Sequence, residues 1–382
     1  MKIASYHTPV MPIVMPITRR RLLAGLGPAA LARAARVPLT QVEVFQSGQD
    51  GYHTYRIPSL LVTRRGTLLA FCEGRRHSPS DSGDIDLVLK RSFDHGRTWS
   101  AQQLITDLGD DTIGNPCPVQ DRQTGVIWLP LTRNPGRCTQ QQILDRACPG
   151  TRTVWMCRSQ DDGATWSAPA DITAAVKAPD WTWYATGPGV GIQLRRGRLL
   201  IPCDHYRQGT QARYSHVIYS DDHGRTWKIG GVAGEKTNEC QVAELADGSL
   251  VLNMRSYHGA NRRAIARSRD GGLTWSESQL DQALIEPVCQ ASLLRLRGNT
   301  LLFSNPADTR RVRMTVRLSY DGGRTWPVSR LLHQGPSIYS CLGVLRDNAI
   351  ACLYERGDQR NYERITLARF GLDWLRSGNS SG

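Results

Sequence analysis

The eight residues Ser92-Phe93-Asp94-His95-Gly96-Arg97-Thr98-Trp99 recur along the chain as Ser-x-Asp-x-Gly-x-Thr-Trp, with further copies starting at Ser159, Ser220, Ser268 and Ser319. An eight-residue pattern repeated five times is an internal repeat, and a repeat constrains the architecture before any single residue does. Each copy follows a short alternating apolar run, such as Asp86-Leu87-Val88-Leu89, and precedes a second extended segment. That is the signature of a β-hairpin with the box at its turn. Ser and Asp can bond the backbone of a tight turn, Gly can take positive φ, and the Trp supplies apolar surface to pack beneath it. Copies spread around a repeat cannot converge on one ligand, so the five Asp residues read as folding elements and not as a metal or catalytic array.

A second repeat interleaves with the first. A turn residue opens an apolar strand at Gly66, Gly125, Gly197, Gly248, Gly298 and Asn348, where Asn tolerates the left-handed turn that Gly fills elsewhere. Six hairpins and five boxes, with four strands per unit, describe an all-β six-bladed β-propeller of four-stranded antiparallel blades, at about 50–60 residues per repeat. The run Ile365 to Phe370 belongs to the last blade, which lacks a box. With the box joining strands three and four, the start of one, the end of two and the start of three lie at the opposite end. At that mouth the pattern gathers Arg56, Glu73, Arg75, Asp81, Asn115, Glu239, Arg255, Asn305, Arg311, Tyr339 and Glu355.

The chain has 382 residues, 40% of them hydrophobic, and reads as a single propeller domain over residues 41–376, followed by a tail at 377–382. Its net charge of +14 includes six cations from Lys2, Arg19, Arg20, Arg21, Arg33 and Arg36. The rest is a mild excess, compatible with an anionic substrate. No basic run interleaves with aromatics, which argues against nucleic acid, and no apolar stretch reaches the length of a membrane span. Thr18-Arg19-Arg20-Arg21-Leu22-Leu23 before a small-residue apolar run resembles a twin-arginine export signal within a leader at 1–36. The protein is then exported, periplasmic or secreted; if the leader is only a basic extension, it is cytoplasmic. The ten cysteines lack paired metal spacing, so no metal site is expected. Cys138 and Cys148 bracket a polar loop and can pair, and the other eight read as buried thiols.

Tyr55-Arg56-Ile57-Pro58 followed by repeated Asp-boxes resembles the sialidase (neuraminidase) superfamily, in particular bacterial and animal exo-α-sialidases, from about Gln41 to Leu375. The resemblance implies an arginine triad at Arg56, Arg255 and Arg311, the last flanked by Arg310 and Arg313. Three guanidiniums facing one point form a clamp for a single carboxylate. Glu355 matches the glutamate that steadies the first arginine, and Arg75 an arginine that contacts the sugar ring. Tyr339 matches the family nucleophile and Glu239 its activating partner. A tyrosine suits a reacting carbon that bears a carboxylate, which would repel an anionic nucleophile. Asp81 matches the general acid, preferred to Asp84 and Asp86 because those lie at or inside strand three. Trp181, Trp183, Tyr184 and Tyr206 are candidate pocket aromatics.

The implied reaction is retaining hydrolysis of terminal α-linked sialic acids from sialylated glycoconjugates, with no cofactor. Two other readings keep the boxes. A non-catalytic propeller binding anionic glycans or protein would have little need of Tyr339, Glu239 and Asp81 together. A glycosidase for a related acidic nonulosonic sugar, such as a deaminated sialic acid, would differ around Trp183 and Tyr184. The oligomeric state stays open.

Overall fold

The strand Leu68–Arg75 is buried along its whole length, and alternate residues of it enter two different apolar clusters. Leu68, Ala70 and Cys72 pack with Leu353 and Leu367, while Leu69 and Phe71 pack with Ile127 and Leu129. Because side chains alternate across a strand, a strand covered on both faces reads as a continuous apolar run. The same division recurs further on. Leu200 faces one cluster and Leu199 and Ile201 another, and Leu302 is likewise separated from Leu301 and Phe303.

These contacts come from a computed structural model, which describes Met1, Ala4 and residues 37–377. The fold is all-β, with sheets of four, five, seven and nine strands. Within them one four-strand antiparallel motif repeats six times among the described residues. The first unit is Thr54–Val62, Leu68–Arg75, Ile85–Ser92 and Gln103–Thr106. The fourth is Thr237–Glu244, Leu250–Ser256, Arg262–Ser268 and Gln279–Ile285. The 17-residue strand Val328–Val344 serves two units. Its first part pairs with Val312–Ser319 and its second, from Ser337, with Ile350–Arg356.

The last unit has an outer strand that the repeat did not foretell. Thr40–Gln46 pairs antiparallel with Arg364–Phe370, so the start of the described chain fills the place that a box and fourth strand fill elsewhere. The alternation in Gln41-Val42-Glu43-Val44-Phe45 was the available signal.

All five boxes occupy the turn after the third strand, and four bonds recur in each copy. In the first, the Ser92 hydroxyl donates to Asp94 Oδ1 at 2.9 Å and accepts from Gly96 N at 2.9 Å. Thr98 N and the Thr98 hydroxyl donate to the two Asp94 oxygens at 2.9 and 2.7 Å. The residue before the box glycine is also left-handed, at φ 64° for His95 and 63° for Asp162. Gly224 answers a second demand as well, since a Cβ there would meet the Trp128 ring at 2.2 Å. That close approach docks the third unit's box onto the second unit, with Trp128 Nε1 donating to His223 O at 3.0 Å.

Cys138 and Cys148 are joined in a disulfide, and the other eight cysteines are buried free thiols. The twin-arginine motif and the tail beyond Ser377 lie outside the described residues. Among the described residues no helix is long and apolar enough to cross a membrane.

Candidate active site

Six arginines and four carboxyl groups line one cavity of about 470 Å³ at the end of the units opposite the boxes. No box residue reaches it. Arg56 sits where the first strand of the first unit bulges between Arg56 and Ser59, and Ile57 beside it is left-handed at φ 60°. That conformation is costly for a β-branched residue and is held by a specific partner. Glu355, fully buried, accepts from Ile57 N at 2.8 Å, from Arg56 Nε at 3.2 Å and from Tyr339 N at 3.1 Å. One carboxylate thus ties the first unit to the strand that carries Tyr339. Burial would lower the Arg56 pKa, but Glu355 and its neighbours hold it well above its ordinary value.

Tyr339, only 6% exposed, donates its hydroxyl proton to Glu239 Oε1. Arg255 Nη1 donates to Glu239 Oε2 at 2.7 Å and to the Tyr339 hydroxyl at 3.3 Å. Burial, reinforced by the Glu239 charge, pushes the phenol well above its ordinary value, so it rests neutral. The Arg56 guanidinium lies 5.2 Å from the Tyr339 ring centre and 4.1 Å from that of Tyr362.

Arg311 is half-buried on the cavity wall, its Nη1 3.4 Å from the Tyr362 hydroxyl. Arg310 and Arg313 are exposed and off the cavity. Arg75 pairs with Glu73 at 2.7 Å, and Glu73 also accepts from Asn115 N at 3.1 Å. Asp81 reaches Arg75 Nη1 at 2.8 Å and Arg56 Nη1 at 3.1 Å, with its side chain 77% exposed. Despite some desolvation, Arg75 and Arg56 hold its carboxyl below the usual range. Asp84 and Asp86 turn away to Arg76, and Asp86 also accepts from Tyr52.

Not every expected mouth residue reaches the cavity. Asn305 turns aside to accept from Arg317 at 3.0 Å and to donate to Ile285 O at 2.8 Å. Glu355 lies beneath the wall instead of on it. Trp183 and Tyr206 line the cavity, whereas Trp181 and Tyr184 are core, Trp181 stacking on His205 at 3.5 Å. Arg152, Asp204, Arg213, Tyr257 and Tyr362 line it without having been singled out. A signal existed for three of them. Asp204 and Arg255 lie in the last part of second strands, Arg213 opens a third strand and Arg152 directly precedes one. The helix Gln140–Leu144, inside the disulfide loop, adds Gln140, Gln141 and Leu144 to the rim.

The BNR repeat-like domain family matches residues 66–362. A sialidase of Bacteroides fragilis is 36% identical over 82% of this chain and 62% of its own length. One of Micromonospora viridifaciens is 34% identical over 95% of the chain and 59% of its own. The chain therefore spans about three fifths of these bacterial relatives. Mouse sialidase-2 is 32% identical over 88% of the chain and 97% of its own length. Among solved structures, the Hadza microbial sialidase Hz136 superposes with a TM-score of 0.81 at 34% identity, over 88% of this chain and 69% of that one. With relatives matched along nearly their full length, and the same all-β fold in the solved neighbour, the chain belongs to the sialidase family.

Proposed function

We propose that the protein is an exo-α-sialidase, a retaining glycoside hydrolase that removes terminal α-linked sialic acids with Tyr339 as nucleophile. The observation that carries this reading is the Tyr339 hydroxyl donated to Glu239 in a cavity walled by Arg56, Arg255 and Arg311. We take the six units as the blades of a closed six-bladed propeller. The cluster joining Leu60, Leu68 and Cys72 of the first unit to Cys341, Leu353 and Leu367 of the last supports that closure.

The three arginines hold the substrate carboxylate, which fixes the anomeric carbon over Tyr339. The phenol oxygen attacks that carbon as its proton passes to Glu239, and the bond to the aglycone oxygen breaks. Asp81 donates a proton to that departing oxygen. Water then attacks the same carbon and gives its proton to Asp81. The bond to Tyr339 breaks and Glu239 returns the phenol proton, so two inversions leave net retention. Arg255, bonded to both Glu239 and Tyr339, couples carboxylate binding to the nucleophile.

Release of fluorophore from an α-linked sialic acid aryl glycoside tests the reading. Wild-type turnover should fall by about 10³-fold or more in Tyr339→Phe. A 3-fluorosialosyl fluoride should leave a mass adduct on the peptide containing Tyr339. Turnover undiminished in Tyr339→Phe, or an adduct elsewhere, would remove Tyr339 from the mechanism.

A further inference from the structure

Of the three cavity arginines without an ion pair among the described residues, Arg152, Arg213 and Arg311, Arg152 is the buried one. Arg56, Arg75 and Arg255 each pair with a carboxylate. Arg152 lines the same cavity, is 4% exposed, and forms no ion pair among the described residues. Its Nη2 donates to Asn115 Oδ1 at 2.6 Å, its guanidinium lies 4.0 Å from the Trp183 ring centre, and its Nε has no partner among the described residues. Burial draws it down to about 10, against the opposing charges of Glu73, Asp204 and Asp81. Beside it on the cavity wall is Asp204, fully buried, with neither side-chain oxygen partnered among the described residues. Burial and the like charge of Glu239 push that carboxyl well above its ordinary value, against the opposing charge of Arg152, and so favour the protonated acid.

A buried polar group without a partner is costly, and two adjoining on one cavity wall mark a place where a ligand completes the bonding. The free groups are a guanidinium N–H, a carboxyl O–H and a carboxyl C=O. A hydroxyl accepts from the first two and donates to the third; an acyl methyl does neither. The location suits such a group. Arg56, Arg255 and Arg311 belong to the first, fourth and fifth units, and Arg152 and Asp204 to the second and third. A sugar held by its carboxylate turns its other substituents toward this wall.

We propose that Arg152 and Asp204 form a polar subsite that takes a hydroxyl-bearing substituent of the bound sugar. This rests on the sialidase reading. Three sources carry that chemistry: an N-glycolyl group, a ring hydroxyl in place of the acylamino group, and the exocyclic triol.

The experiment compares kcat/KM for aryl α-glycosides of the N-acetyl, N-glycolyl and deaminated sugars, and of the N-acetyl sugar with its triol truncated, in wild type and Arg152→Leu. Wild type should favour the hydroxyl-bearing member of at least one pair by about tenfold or more, and Arg152→Leu should bring that ratio to within about twofold of one. The pair affected identifies the source. Asp204→Asn, which replaces a neutral acid by a neutral amide, should keep most of the preference, and Asp204→Leu should lose it. Ratios alike in wild type and a folded Arg152→Leu overturn the subsite. If that variant does not fold, Arg152→Gln, which can still donate to Asn115, is judged by the same ratios. Affinities of the matching 2,3-dehydro sugars, measured by calorimetry, separate the two readings. No turnover with the ratio present in Kd removes the glycosidase and leaves the subsite. Turnover with flat ratios does the reverse.

Discussion

Glu355 and Asp81 both touch Arg56, and their difference in exposure separates their roles. Glu355 is fully buried and spends both oxygens on Arg56 and on the backbone of Ile57 and Tyr339, so its work is positional. Asp81 stands in solvent with two arginines beside it, where its protonation can answer to what binds. In the free protein its carboxyl is held below the usual range, so it is ionised at neutral pH and lacks the proton an acid needs. A substrate carboxylate on Arg56 offsets that cation and raises the Asp81 pKa. The limb of kcat/KM reports the free protein and that of kcat the complex. The alkaline limb that belongs to the acid should therefore lie at lower pH in kcat/KM than in kcat. Asp81→Asn should abolish that limb for a poor leaving group. Coincident limbs in wild type would exclude this coupling.

At the scale of the element, the box turns a sequence motif into a pH-dependent fastening. Bonds from the Thr98 hydroxyl, and from Ser92 and backbone N–H groups, draw Asp94 to about 2. In the other four boxes the same bonds outweigh desolvation and give about 2 as well. The folded value lies below the unfolded one near ~3.9, so the stabilisation is complete above about pH 4 and is lost as pH falls through about 2. Asp94→Asn mimics the protonated acid. Its Tm should lie roughly 1–2 °C below wild type at pH 6, and the gap should close by pH 2. A gap constant between pH 6 and pH 2 would show that the carboxylate charge contributes nothing. The disulfide loop is a second fastening. Cys138, Ile143 and Cys148 pack on Trp183 and Tyr206, so its apolar side supports two cavity aromatics.

The whole molecule depends on a strand from outside the repeat. Thr40–Gln46 covers the edge of Arg364–Phe370 and buries Val44 and Phe45 among Tyr55, Leu353 and Leu367. An uncovered edge strand is a template for aggregation. Burying two such side chains stabilises by about 3–6 kcal/mol, a large part of a typical protein's net stability. A chain beginning at Ser47 should unfold at least 10 °C lower than the full chain or aggregate on expression, as read by calorimetry and size-exclusion chromatography. An unchanged Tm would mean that the remaining strands close the last unit unaided.

The repeat made the all-β class, the six hairpins and the five box turns legible, because turn chemistry and strand alternation are local. The Ser-x-Asp-x-Gly-x-Thr-Trp pattern carries its own hydrogen bonds, and Asn348 adopts its left-handed φ of 62° within its own turn. The composition of the cavity was partly legible, since strand ends of the repeat point to one mouth. What the sequence could not decide is which groups at that mouth meet. Arg311 reaches the cavity and its neighbours Arg310 and Arg313 do not, Asn305 is drawn aside by Arg317, and Asp204 is buried with neither oxygen partnered among the described residues. Pairing the first described strand with the last sheet also joins residues 321 positions apart, Glu43 and Arg364. These outcomes depend on distances between residues far apart in sequence. Packing of neighbouring sheets sets those distances, and no local pattern encodes them.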